Sequence, residues 1–179
     1  TTGTFQLLNG MAQGTTDITR DGNDMNATSI QWRMRCISDV DAIAAGFCVR
    51  HIIFWDQQAN GAAPTLADLL DLNTITSQVI APYNRNNQKR FKIVEDKSFT
   101  LNPVLATTTV VATGVVSAVA SIRMMSHGKR QLSRQVKYIG TGATVASIGT
   151  NSLYSVMISD ANVEAPLIQM GYRYFAKDG

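Results

Sequence analysis

Residues 49–71 read VRHIIFWDQQANGAAPTLADLLD, and three kinds of local structure follow one another inside them. From Phe47 to Trp55 the run is apolar on both faces for most of its length, which predicts a strand lying centrally in a sheet. Asn60-Gly61 marks a polar turn. Pro64-Thr65 then opens a short amphipathic helix. The Thr65 hydroxyl can accept from orphan N–H groups of the first turn, Leu66, Leu69 and Leu70 share one face, and Asp68 and Asp71 point outward. The continuation, SQVIAPYN at 77–84 and NQKRFKIVEDKSF at 87–99, gives an irregular segment around Pro82 and a second strand from Arg90 to Leu101. One short helix set among strands predicts a decorated β fold.

Working outward, Ile30–Ile37 has the cleanest alternation in the chain. Ile30, Trp32, Met34 and Cys36 fall on one face and Gln31, Arg33 and Arg35 on the other, a half-buried strand whose polar side is exposed or in an interface. Short β-like runs occur at Thr4–Leu8, Gln131–Ile139, Ala143–Ile148, Leu153–Ser159 and Leu167–Phe175. Met11–Asn26, rich in Gly, Thr, Asp and Asn, is expected to be a surface loop. Eight strands with long, uneven connections predict an all-β jelly roll, two packed antiparallel sheets in a single domain spanning residues 1–179.

The 179 residues are 45% hydrophobic and 16% charged, enough to bury one core, which excludes disorder and coiled coil. A formal net charge of +3 permits contact with nucleic acid without requiring it. Cys36 and Cys48 lack a metal-type spacing and are expected to be small buried hydrophobes. The uncharged run Val104–Ile122 has the length of a membrane span, yet its threonines, serines and central Gly114 predict a β-hairpin or a contact loop, at a subunit interface or on the outer loops near a symmetry axis. No membrane partner is expected. His51 and His127 are too isolated for a cupin-type metal site or a nucleophile–base pair, so His51 is expected as a hydrogen-bonded core or interface residue and no catalysis is expected.

Several segments, in the same order, carry a family resemblance. They are FQLLNGMAQG at 5–14, Thr19-Arg20-Asp21-Gly22, the strand–turn–helix stretch Ile52–Leu70, Ser77-Gln78, and Gln88-Lys89-Arg90-Phe91 followed by Asp96-Lys97. Together they resemble the coat proteins of satellite tobacco necrosis viruses, and the chain is also similar to the capsid proteins of circular Rep-encoding single-stranded DNA viruses. The resemblance implies a subunit that assembles into a small icosahedral shell around a single-stranded RNA or DNA genome, inside a host cell. It also implies a basic arm upstream of Thr1. Val104–Gly128 departs from the family pattern.

Candidate sites follow. Asn87-Gln88-Lys89-Arg90 places donors beside two cations at a strand entry, suited to phosphate contact without base reading, and Lys92 follows them. The resemblance adds Arg20 and Lys89 as residues facing the packaged strand. Lys129-Arg130 is a second basic pair that can face either surface. The loop Asp17–Asp24 offers hard oxygen ligands, and the resemblance implies Ca²⁺ between subunits, held by Asp21, Asp24 and Asp178. The alternatives are a solvated rim for the cations, a solvated loop for the acids, and, for the whole protein, a secreted trimeric jelly-roll binding module of lectin or receptor-ligand type.

Overall fold

The computed structural model describes residues 3, 5–37, 47–73, 77–101, 108–111, 114–117, 123–160 and 166–178. Its elements run β1 (Phe5–Leu7), β2 (Asp24–Ile37), β3 (Phe47–Asp56), α1 (Leu66–Leu69), β4 (Phe91–Leu101), β5 (Thr108–Val111), β6 (Gly114–Ser117), β7 (Arg123–Tyr138), β8 (Ile148–Thr150), β9 (Ser152–Ser159) and β10 (Leu167–Asp178). Two four-stranded antiparallel sheets, ordered β1-β9-β3-β4 and β10-β2-β7-β8, form the jelly roll expected from the strand pattern. Among the described residues the hairpin β5–β6 pairs only with itself. It falls in the uncharged run that suggested a hairpin, and among the described residues no helix is long and apolar enough to cross a membrane.

Period-2 burial explains how the sheets meet. Along β2, Met25, Ala27, Ile30, Trp32, Met34 and Cys36 are buried, with a bulge between Ala27 and Ser29 that resets the alternation. Met25, Ala27, Ile30 and Trp32 pack with Ile53 and Trp55 of β3, Leu132, Val136 and Tyr138 of β7, and Leu153 of β9, filling the space between the sheets. Trp32 has room because its neighbour across the ladder is Gly128. A Cβ there would come within 2.2 Å of the indole ring.

β3 is apolar on both faces because both faces are covered. Val49, Ile53 and Trp55 turn toward the second sheet, while Ile52 and Phe54 join Leu66, Leu69, Leu70, Val79 and Ala81 in another apolar cluster. The segment carrying α1 therefore lies over the outer side of the first sheet as a third layer. Thr65 and Asp68 close a capping box at the start of α1, as the sequence predicts for Thr65. Gly61, in the turn before it, takes φ +82, the left-handed region that favours glycine.

Arg50 clamps this layer down. Its guanidinium grips the Asp96 carboxylate with two hydrogen bonds of 2.9 and 2.7 Å and donates to the carbonyls of Val79 and Ala81 at 3.1 and 2.6 Å. Tyr83, whose ring lies under Arg50, donates its hydroxyl to the same Asp96.

Several boundaries differ from expectation. β2 begins at Asp24, so the surface loop stops short of Asn26, and β7 starts well before Gln131. β10 runs to Asp178. In each case the extension mixes polar residues with few apolar ones, too few to mark a strand by themselves. It is held by ladder hydrogen bonds to a neighbouring strand, as in Asp178↔Met25 and Gln31↔Lys129. Within Ala143–Ile148, Val145–Ser147 is a 3₁₀ turn that leads into β8.

Candidate nucleic-acid interface

The expected nucleic-acid residues separate into two places and two kinds. Arg20 does not face solvent at all: it is 0% exposed. Its Nε donates to Met11 O at 3.2 Å and its Nη1 to Gly22 O at 2.6 Å and Asn23 Oδ1 at 3.0 Å, while Nη2 donates to Gly140 O. The guanidinium also lies 4.2 Å over the centroid of the Tyr138 ring. This corrects the expectation of a phosphate contact. Arg20 is the hub that ties the 11–23 loop to the end of β7, and its donors are spent on carbonyls inside the fold.

Arg90 is also committed. Nε and Nη2 form a two-pronged pair with Asp56 at 2.9 and 2.7 Å, and the Asp56 side chain is almost fully buried. The carboxylate holds the guanidinium protonated even more firmly than usual, against the opposing effect of burial. Its job is to join the ends of β3 and β4. Lys89 and Lys92, by contrast, are exposed and make no ion pair among the described residues. They keep the freedom to meet a phosphate.

The second basic pair, Lys129-Arg130, is divided by strand alternation. Arg130 turns toward the first sheet and pairs with Glu95 at 2.6 Å, where Lys97 also reaches the same carboxylate at 2.8 Å. Lys129 points away from the core.

The acidic candidates gather at one end of the second sheet. Asp24 opens β2, Asp178 sits beside it opposite Met25, and a Cβ on Gly22 would lie 3.9 Å from Asp178 Oδ1. All three carboxylates are exposed. Among the described residues of one subunit, no three His, Cys, Asp or Glu side chains come close enough to share a metal. The remaining special residues are structural. Burial pushes the Cys36 thiol up to about 11, which leaves it protonated and inert. His51 is 1% exposed and lies 3.0 Å from Ser155 Oγ, the core histidine that its apolar strand predicts.

A further group of cations lies on the outer side of β2, β7 and β10. There Arg33, Arg35, Lys129 and Arg173 stand without ion partners among the described residues. The signal was present in β2, whose alternation puts Arg33 and Arg35 on the polar side. The other cations joined them only through sheet pairing.

The fold is a two-sheet jelly roll whose buried carboxylates, Asp56 and Glu95, are paired to arginines and whose free cations lie on the surface. No curated protein gives a match to this chain. The sequence profile of the family described as satellite tobacco necrosis virus coat protein, however, matches residues 1–176. The match spans nearly all of the 179 residues: the chain belongs to the satellite tobacco necrosis virus coat protein family, a viral capsid protein whose place is the virion shell.

Proposed function

We propose that this subunit self-assembles into a small closed icosahedral shell of about sixty copies and encloses a single-stranded nucleic-acid genome through phosphate contacts. The observation that carries the proposal is the family match over residues 1–176, on a fold whose buried polar groups serve structure and whose free cations lie outside. The work is assembly and containment, and it requires no chemical step. The β5–β6 hairpin, which pairs with neither sheet, supplies a subunit contact. A shell of about sixty subunits at +3 each presents roughly +180, far below the phosphate charge of a genome, so a basic segment upstream of Thr1 and counterions share the neutralisation.

Asp21, Asp24 and Asp178 would hold Ca²⁺ with further ligands from a second subunit, since among the described residues one subunit brings together too few donors. The ion would screen a cluster of like charges.

Electron microscopy and sedimentation of the purified protein test both points. Uniform shells containing nuclease-protected nucleic acid are expected, and chelator above pH 7 should swell them, seen as a larger radius by light scattering. Compact trimers in place of shells would instead support a binding module. Shells of unchanged radius and melting temperature in chelator would remove the calcium proposal alone.

A further inference from the structure

Each sheet has an outer side. That of β1-β9-β3-β4 is covered by the segment carrying α1, whereas among the described residues nothing packs over the outer side of β10-β2-β7. We propose that this bare face, centred on Gly171, is where the subunit grips the phosphates of a single-stranded nucleic acid. The proposal rests on the encapsidation function above and names the surface that performs it.

The ladder register sets the geometry. One row across the three strands is Gly171, Arg33 and His127; the next is Arg173, Gln31 and Lys129. Rows two residues apart on a strand are separated by about 6.7 Å, on the scale of consecutive phosphates along an extended strand. Gly171 has no side chain, and the position where a Cβ would stand has nothing within 4 Å. The result is a groove of about 580 Å³ walled by Arg33, His127, Lys129 and Arg173.

Charge decides what fits. The nearest carboxylates on this sheet, Asp24 and Asp178, sit together at its far end, so no acid answers Arg33, Lys129 or Arg173 among the described residues. These are donors with nothing to accept them. Four other arginines are consumed: Arg20 by carbonyls and Asn23, Arg50 by Asp96, Arg90 by Asp56 and Arg130 by Glu95. Four exposed cationic or imidazole groups around a glycine floor suit an anion with several oxygens. Trp32 lines the groove but is 2% exposed, so it offers little ring face for base stacking. Binding should therefore depend on salt and hardly on sequence.

The test measures binding of fluorescent oligo-dT and oligo-U to the purified protein as salt is raised. With Arg33→Gln, Lys129→Gln and Arg173→Gln combined, the slope of log affinity against log salt should become shallower by about 2, at about 0.7 per phosphate contact. Gly171→Glu and Gly171→Lys add side chains of similar reach and opposite charge to one open position. The first should weaken binding about tenfold or more, and the second should hold or strengthen it.

A triple variant with an unchanged slope overturns the proposal while leaving the shell function standing. So does a triple variant that no longer forms shells yet binds oligonucleotide normally, which would make this face a subunit contact. Wild-type protein that neither assembles nor binds would instead defeat the parent function. Equal effects of Glu and Lys at position 171 would show that shape, not charge, governs the face, and would also overturn it.

Discussion

Replacing Arg20 with Ala should cost the subunit about 3–5 kcal/mol, because the change leaves a set of buried acceptors without a donor. Met11 O, Gly22 O, Asn23 Oδ1 and Gly140 O all receive hydrogen bonds from this one guanidinium, and water has no path to a side chain that is 0% exposed. The loss extends beyond one contact. Tyr138, beneath the guanidinium, donates its hydroxyl to Asn9 O at 2.6 Å, and Asn9 in turn holds Leu153 N and Asn151 O. Arg20→Lys should recover only part of the loss, since a single ammonium cannot satisfy acceptors arranged around a planar fork. Urea unfolding measures both variants. A midpoint within about 0.5 kcal/mol of wild type for Arg20→Ala would show that the network does not hold the loop.

Acidification should destabilise the subunit between pH 6.5 and 4 through one buried histidine. Burial pushes His51 down to about 4; Lys97 pushes the same way, while Glu95 and Asp96 favour its proton without overcoming burial. Ser155 Oγ lies at hydrogen-bonding distance and Trp32 packs edge-on at 6.1 Å, so the site is built for a neutral ring. The sign follows from the two states. In the unfolded chain the ring titrates near its ordinary value of about 6.5, so below that pH the unfolded state holds the extra proton. Stability is complete above about 6.5 and declines as pH falls toward 4, by about 3 kcal/mol in all.

Asp96 adds to this at lower pH. Burial opposes its ionisation, but hydrogen bonds from Arg50 and Tyr83 outweigh that and hold the carboxyl below its usual range. Its contribution is present above the usual carboxylate range and is lost as pH falls through the lowered value. His51→Gln should flatten the profile between pH 6.5 and 4. A glutamine variant with the wild-type slope in that window would place the acid sensitivity elsewhere.

A shell protein has reason to divide its arginines between structure and surface. A cation on an exposed strand costs little and stays ready for phosphate, while one inside the fold must have its donors satisfied there. Local spelling does not distinguish them. Arg20 and Lys89 stand in equally polar surroundings in the chain, yet the first is a buried hub and the second is free.

The sequence by itself determined the elements that carry their own periodic or capping signal. The alternation of Ile30–Cys36, the two-sided apolar run of β3 and the Pro64-Thr65 helix start each appear in the structure where their side chains predict them. Those signals are local, because burying an alternate face or satisfying an orphan N–H involves residues a few positions apart. Only the tertiary structure decided which cations remain free and which carboxylates meet. Asp178 comes to Asp24, Arg130 to Glu95, and Gly171 to Arg33 and His127 by ladder register between strands far apart in the chain. Such pairings follow from how two sheets close over a shared core, and no short window of sequence contains the residues that define them.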